Sequence, residues 1–217
     1  MSDDLRISFD VSRFNRALLA YAENSKRDMG EIMEQQARLV LRNVVELTPP
    51  GKPGVKGTAA KKLGEASVKG DVSRLFTPVR KAQAEETALA SIHQQARNNK
   101  GRVPRRVGKH RVYSADFNRY LRAQVMKVGS LAGGWNEAAR KLGYNPPAWI
   151  RRHNSPGSAE VRVGNEKLSV TMTNRVDYAS DQKGLERRID LALRKQEQNL
   201  VRQVDKYMGD NSPFRKK

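Results

Sequence analysis

Residues 51–112 of this 217-residue chain form a long and strongly basic segment. Lys and Arg outnumber Asp and Glu there by 15 to 4, and no regular apolar period runs through it. A stretch of that composition lacks the apolar residues to form a packed core by itself. We therefore expect it to reach toward a negatively charged partner or another subunit.

The whole chain shares this excess of positive charge, with 42 basic and 23 acidic residues and a net charge of +19. Such a charge opposes a compact monomer unless phosphates, counterions or acidic surfaces offset it. Nucleic acid and an acidic protein both satisfy that requirement. A well-solvated surface is the alternative, but the uneven distribution of the charge favours an anionic partner.

The sequence lacks certain residue types and long apolar runs, and these absences exclude several kinds of site and segment. The chain has no cysteine, which excludes disulfides, thiolate nucleophiles and cysteine-ligated metals. Its first residues carry no signal-peptide pattern, and nowhere do eighteen apolar residues follow one another. We expect a protein without a membrane partner, made and used in a cytoplasm.

Apolar periodicity predicts strands and long helices at the two ends of the chain. Residues 5–9 alternate as in a short strand, and residues 12–47 predict one long amphipathic helix, kinked at Gly30, that ends at Thr48-Pro49-Pro50-Gly51. An unbroken helix over 12–47 would be about 54 Å long. Residues 159–163 and 167–173 predict a β-hairpin around Gly164-Asn165, and residues 184–208 predict a closing amphipathic helix.

The middle of the chain has weaker patterns. Glycines and prolines among lysines predict an arm or mobile loop over 51–78, and a helix follows over about 79–98. Seven basic residues without an acid then occupy 97–111. Residues 114–142 predict helices divided at Gly129 and at Gly133-Gly134, and residues 146–150 predict a turn that presents an aromatic side chain.

Together these elements predict an α+β fold, a small antiparallel sheet packed by long N- and C-terminal amphipathic helices, with a basic loop and helical insertion. We expect an N-terminal strand and helix over 1–50 and a basic arm or insertion over 51–112. Helices, the hairpin and the closing helix over 113–217 would complete a single α+β domain.

No motif for catalysis is present. His93, His110 and His153 lie far apart and show no metal-ligand spacing. His153 beside Asn154 resembles part of a metal-dependent nuclease site, but such a site also needs carboxylates or further histidines. Neither a Gly-x-Ser-x-Gly motif nor a complete phosphate loop occurs. We predict that the chain is not an enzyme and takes no cofactor or metal.

The candidate contact residues are the cations of the basic segment. Aromatic residues make up only 6% of the chain, so we expect any nucleic-acid contact to be through phosphates and independent of sequence. The two tryptophans, Trp135 and Trp149, are candidate interface anchors, with core packing as the alternative for each. The candidate basic residues are Lys52, Lys56, Lys61, Lys62, Arg97, Lys100, Arg102, Arg105, Arg106, Lys109 and Arg111.

Several segments resemble the tail-component and tail-completion proteins of the neck of tailed bacteriophages, the HK97 gp10-like group. They are the helix end Val44-Val45-Glu46-Leu47-Thr48-Pro49-Pro50, the strand Leu168-Ser169-Val170-Thr171-Met172-Thr173-Asn174, the following Val176-Asp177-Tyr178-Ala179, and the closing helix. Gly129-Ser130-Leu131-Ala132-Gly133-Gly134-Trp135-Asn136 and Pro147-Ala148-Trp149-Ile150 are also similar to such phage proteins. The long basic insertion after Pro50 departs from the short members of the family.

The resemblance implies a structural protein of the virion neck that joins head to tail as one subunit of a ring. Its partners would be copies of itself, a head–tail connector or adaptor, and a tail terminator or tail-tube protein, with non-specific contact to packaged DNA. It would assemble in the host cytoplasm and reside in the virion. A stand-alone, sequence-independent nucleic-acid-binding protein is the alternative, and a nuclease at His153 is the weakest hypothesis.

Overall fold

The computed structural model describes residues 5–7, 12–25, 28–80, 89–97, 103–105, 107–163, 168–177, 184–208 and 214. The fold is α+β, as the sequence predicts. Its elements in chain order are β1 (Leu5–Ile7), α1 (Ser12–Ser25), α2 (Met29–Leu47), α3 (Gly57–Leu75), β2 (Phe76–Val79), α4 (Leu89–Arg97), β3 (His110–Tyr113), α5 (Ser114–Met126), α6 (Ser130–Gly133), α7 (Asn136–Lys141), α8 (Ala148–Arg151), β4 (Gly157–Val163), β5 (Leu168–Asn174) and α9 (Leu185–Met208).

The chain forms two compact units. The first unit comprises Met1–Gly57 together with Gly129–Lys217, and the second unit is the intervening Thr58–Val128. The second unit thus contains most of the predicted insertion, but it begins after residue 51 and extends past residue 112 to take in α5. It is a folded unit of its own within the sequence of the first.

The first unit contains the antiparallel sheet that the sequence predicts, with strand order β1-β5-β4. Strands β4 and β5 form the predicted hairpin, in which Ala159 pairs with Met172. β1 pairs with the other edge of β5, where Leu5 lies opposite Asn174. The turn at Gly164-Asn165 falls outside the described residues.

Two helices replace the single long helix predicted over 12–47. α1 ends at Ser25 and α2 begins at Met29. The carboxylate of Asp28 caps α2, because its Oδ1 accepts a hydrogen bond from the Glu31 N–H at 3.1 Å. The predicted kink at Gly30 is therefore wrong: this glycine lies in the first turn of α2, and the helix boundary is set by the Asp28 cap.

The apolar residues of the first unit gather in two clusters. The larger cluster joins the second half of α2, the segment from α6 to α8, the hairpin and the start of α9. The smaller one joins α1, the start of α2 and the end of α9. Its buried members are Ala17, Tyr21, Ile32, Leu200 and Val204.

A buried polar network links α2 to α9. Gln196 Nε2 donates to Gln36 Oε1 at 2.7 Å, and Asn43 Nδ2 donates to Gln196 Oε1 at 3.5 Å. Lys195 Nζ donates to Asn43 Oδ1 at 3.1 Å. Buried amides have to satisfy each other, so only one alignment of the two helices keeps these groups paired.

The proline turn after α2 is fixed by side chains of the first unit. Thr48 Oγ1 donates to the carbonyl of Val44 at 2.7 Å, and a guanidinium N–H of Arg188 donates to the carbonyls of Leu47 and Gly51. These contacts satisfy carbonyls left free at the helix end. The predicted helix stop at this position is confirmed.

The second unit is organised around a parallel pair of strands that the sequence patterns did not predict. β2 and β3 pair in parallel, with Phe76 beside His110 and Val79 beside Tyr113. Ser114 Oγ donates to the carbonyl of Val79 at 3.2 Å, which ties the start of α5 to the end of β2. The buried core residues are Val72, Leu75, Phe76, Val103, Val112 and Phe117.

This unit corrects three expectations for the basic segment. The loop predicted over 51–78 is wrong from Gly57 to Leu75, which form α3, and the helix predicted over 79–98 is shorter, since Val79 lies in β2 and α4 begins at Leu89. Residues 81–88 lie outside the described ranges. The segment also contributes to a core after all, because α5, which lies beyond residue 112, supplies Phe117 to complete it.

Candidate functional site

The predicted basic residues are divided between the two units. Lys52 and Lys56 belong to the first unit, where Lys56 Nζ lies 3.2 Å from Glu46 Oε2. The second unit places Lys61 and Lys62 on α3, Arg97 at the end of α4, Arg105 and Lys109 before β3, and Arg111 within β3. Lys100, Arg102 and Arg106 lie outside the described residues.

Positive charge is concentrated in the second unit. It has 16 basic and 5 acidic residues, a net charge of +11, whereas the longer first unit has 26 basic and 18 acidic residues, a net charge of +8. The structure describes twelve of the basic residues and three of the acidic residues of the second unit. Among the residues that the structure describes, Lys61 pairs with Glu65, Arg74 with Asp71, and Arg119 with Asp116. Cations therefore outnumber acids by twelve to three in the part of this unit that the structure describes, and such an excess favours an anionic partner.

The strand β3 separates apolar from charged side chains. Val112 is buried in the core, and the ring of His110 lies 6.2 Å from that of Phe76. Side chains alternate along a strand, so Arg111 and Tyr113 point away from the core, and both are exposed. Tyr113, with 39% of its surface exposed, is an aromatic beside cations that the sequence reasoning overlooked. The alternation over residues 110–113 was the signal that could have found it.

A buried histidine lies in the second unit. His93 is 5% exposed, and its Nδ1 shares a hydrogen bond of 2.9 Å with the hydroxyl of Tyr120. Its Nε2 is buried and has no hydrogen-bond partner among the described residues. Burial, followed by the nearby charge of Arg97, lowers the pKa of His93 below its usual value, although Asp71 acts in the opposite direction. Burial also raises the pKa of Tyr120 above its usual value.

The lowered pKa of His93 predicts that acid destabilises the second unit. Because the folded state favours the neutral imidazole, His93 contributes its full stabilisation of the folded unit above the pKa of histidine in the unfolded chain, about 6.5. This stabilisation is lost as the pH falls below that value. The loss should reach at most about 1.4 kcal/mol per pH unit. Urea unfolding of the whole chain between pH 5 and 8 measures it. His93→Gln should flatten this dependence, whereas the control His153→Gln should retain it; equal slopes in both variants would contradict the assignment.

Trp135 is a core residue of the first unit. It is fully buried, and its Nε1 donates to Thr48 Oγ1 at 3.1 Å. The predicted interface role is therefore not supported for Trp135, because an indole that is 0% exposed has no surface to offer a partner. Its hydrogen bond instead connects residues 129–136, the glycine-rich segment, to the proline turn after α2.

Trp149 is partly buried in the same unit. Its ring lies against Gly129, which has a φ of +99°, and a Cβ at that glycine would lie 2.7 Å from ring atoms of Trp149. The indole Nε1 is buried and has no hydrogen-bond partner among the described residues. Packing against Gly129 accounts for the position of the ring, and a contact with a partner stays a prediction.

The amide side chains of Asn136 and Asn174 fix the position of the glycine-rich segment. Asn136 Nδ2 donates to the carbonyls of Ile150 and His153 at 3.2 and 2.8 Å. Asn174 is fully buried, and its Nδ2 donates to the carbonyl of Leu131 at 2.8 Å. These amides hold the segment against α8, the loop after it and the end of β5. Residues 129–136 are thus packed into the core of the first unit.

The three histidines are divided between the two units. His93 and His110 belong to the second unit, and His153, in the first unit, lies 3.4 Å through its Nε2 from Arg152 Nε. Among the described residues, no three or more His, Cys, Asp or Glu side chains come together as ligands for a metal ion. Within the same residues, no helix has both the length and the apolar character to cross a bilayer.

Comparisons with protein-family models, with curated proteins and with solved structures find no match for this chain.

Proposed function

We propose that this chain is a structural protein of the neck of a tailed bacteriophage, a ring subunit that completes the tail and joins it to the head. One observation carries the proposal: a strongly basic, folded unit, Thr58–Val128, is inserted into an α+β unit after the proline turn that ends α2 and the short segment that follows it. The first unit supplies rigid helices and a small sheet. The second unit adds positive charge that its own acids do not offset.

The first unit would form the wall of the ring. Long helices held in one alignment by Gln36, Asn43 and Gln196 resist sliding when neighbouring rings are joined. β4 is the outer strand of the hairpin, and an outer strand has backbone groups that a neighbouring subunit can pair with. Lys141 Nζ donates to the carbonyl of Ala159 at 2.6 Å and already covers one such group. Pairing between subunits would therefore use the strand beyond Ala159.

The second unit would hold the joint against an anionic surface, either packaged DNA or an acidic face of an adjacent ring. No reaction is assigned to the protein under this proposal. Its role is to bind on assembly and to remain bound. That role accounts for a high local charge and for a tightly packed first unit.

The decisive experiment is to delete the gene from a phage that encodes this chain and to examine the particles. The proposal expects the polypeptide in purified wild-type virions by mass spectrometry. It expects DNA-filled heads and free tails to accumulate, unjoined, in the deletion. Tailed infectious particles without this polypeptide would refute the proposal.

Charge removal in the basic segment provides a milder test. Replacing Arg102, Arg105, Arg106 and Lys109 with Gln should leave the first unit folded and lower the yield of infectious, DNA-filled, tailed particles. The reason is that four cations fewer would meet the anionic surface across the joint. Plaque counts and electron microscopy measure the yield. An unchanged yield would remove these residues from the joining mechanism.

A stand-alone nucleic-acid-binding protein is the second candidate, and the charge of the second unit favours it as well. The two functions differ in what the free protein does. The stand-alone protein would bind duplex DNA tightly and with a steep dependence on salt. The neck protein would bind DNA only weakly before assembly.

A further inference from the structure

On the outer face of the parallel strand pair in the second unit, Arg111 and the exposed Tyr113 lie on the same strand. On β3, Arg111 and Tyr113 point away from the core, as described above. The register places Thr77 beside Arg111 and Val79 beside Tyr113 on the same face. Arg105, Val107 and Lys109, in the segment before β3, are exposed as well, and we call these three residues together with Arg111 and Tyr113 the outer stripe.

The outer stripe is held at both ends by the fold of the second unit. At its start, Val103 is 1% exposed within the core, and a guanidinium N–H of Arg74 donates to its carbonyl at 3.3 Å. At its end, residues 110–113 form β3 and pair with β2. A cationic segment anchored in this way loses less conformational entropy on binding than a free arm.

The chemistry of the stripe fits a phosphate backbone better than an acidic protein surface. Stable protein interfaces bury an apolar centre, and the apolar contribution of the stripe is limited to Val107 and the ring of Tyr113. Arg, Lys and the Tyr hydroxyl are donors that proteins commonly direct at phosphate oxygens. Alternate residues of a strand are about 7 Å apart, and each strand of duplex DNA has a phosphate every 3.4 Å along its axis. Arg111 and Tyr113, which alternate on β3, can therefore meet different phosphates, and Arg105 and Lys109 in the segment before β3 add two further cations.

We infer that the outer stripe is a docking surface for the sugar-phosphate backbone of duplex DNA, with Arg105, Lys109 and Arg111 at phosphates and the Tyr113 hydroxyl donating to another. The inference rests on the proposed function in taking packaged duplex DNA as the occupant. It deepens that proposal by naming the surface and the groups that meet DNA. Binding would be independent of sequence, because none of these contacts reads a base.

The test measures binding of the whole chain to a labelled 30-base-pair duplex by fluorescence anisotropy at several salt concentrations. Replacing Arg105, Lys109 and Arg111 together with Gln should make the log K against log salt slope shallower by about 2.7, or about 0.9 for each lost contact. A control variant replaces Lys62, Lys69 and Arg122, exposed cations of α3 and α5, with Gln. It removes the same charge and should change the slope by less than about 0.9.

Tyr113→Phe tests the hydroxyl alone. Loss of one hydrogen bond should weaken duplex binding roughly 2- to 12-fold. Tighter binding to a single strand of equal length, with Tyr113→Phe unchanged and Tyr113→Ala weakened, would instead indicate base stacking and overturn the duplex assignment. Displacement of the duplex by polyglutamate at equal charge concentration would also overturn it, in favour of an acidic protein partner.

Circular dichroism and thermal melting establish that each variant is folded. If the triple variant fails to fold, Lys109→Gln, which lies before β3, serves as the single substitution. Equal slopes for the stripe and control variants would refute the docking surface while leaving the virion experiment unaffected. The opposite pair of results is also distinguishable. If the stripe variant loses duplex binding, the docking surface is retained; if head and tail are joined in particles that lack the polypeptide, the neck role is refuted.

Discussion

Replacing Trp135 with alanine should lower the free energy of unfolding by about 3–5 kcal/mol, the usual cost of emptying the space of a large buried aromatic side chain. Trp135 is 0% exposed and belongs to the main cluster of the first unit. The substitution also leaves Thr48 Oγ1, a buried acceptor of the Trp135 indole N–H, without that donor. Urea unfolding followed by far-ultraviolet circular dichroism measures the change.

Trp135→Phe separates packing from hydrogen bonding. Phenylalanine fills most of the space but cannot donate to Thr48, so it should cost less than alanine. If Trp135 were an interface anchor, the free monomer would instead keep its stability within about 0.5 kcal/mol and only assembly would suffer. That outcome would contradict the core position.

The two ends of the fold could be predicted from sequence because their patterns are local. The hairpin alternates within each strand, and the closing helix repeats apolar residues such as Leu185, Ile189 and Ala192 on its buried side. The helix stop after Leu47 follows from two prolines. Each of these features depends on residues that are close together in the chain, so a short window contains the whole signal.

The second unit could not be predicted in the same way, because its stabilising contacts are distant in sequence. β2 pairs in parallel with β3, from Phe76 to His110, and neither strand is longer than four residues. α3 contains Gly64 and Gly70, each of which costs about 1 kcal/mol in a helix interior. Good helix formers at the positions around them and an ion pair between Lys61 and Glu65 favour the helix nevertheless.

Composition predicted which residues are candidates for contact with a partner, and the structure gives their positions in the two units. Counting charges identified residues 51–112, but it could not show that Lys52 and Lys56 belong to one unit and Arg105 and Lys109 to the other. It also could not place Tyr113 beside the cations, since aromatic content was judged over the whole chain. Alternation over residues 110–113 contains the signal for an exposed Tyr113, but the pairing of β3 with β2 depends on residues that are distant in the chain.

Close backbone approach explains the glycines at the centre of the first unit. A Cβ on Gly157 would lie 1.9 Å from the carbonyl oxygen of Gly134 and 3.0 Å from that of Thr173. Gly134 has no room to retreat, because a Cβ there would already overlap the side-chain amide of Asn174, at 2.1 Å from its Oδ1. That amide is fixed in turn by hydrogen bonds to Leu131 and Val176.

Gly157→Ala should therefore cost about 3 kcal/mol of stability, at the upper end of what overpacking usually costs, because the overlapping atoms are backbone and no rotamer change relieves them. Urea unfolding followed by far-ultraviolet circular dichroism, which reports on the helices of both units, measures the loss. Gly108→Ala is the control, since a Cβ at Gly108 meets nothing within 4 Å, and it should stay within about 0.5 kcal/mol of wild type. Equal stability of Gly157→Ala and Gly108→Ala would show that β4 does not lie against the glycine-rich segment, and would remove the contact that joins the hairpin to Trp135.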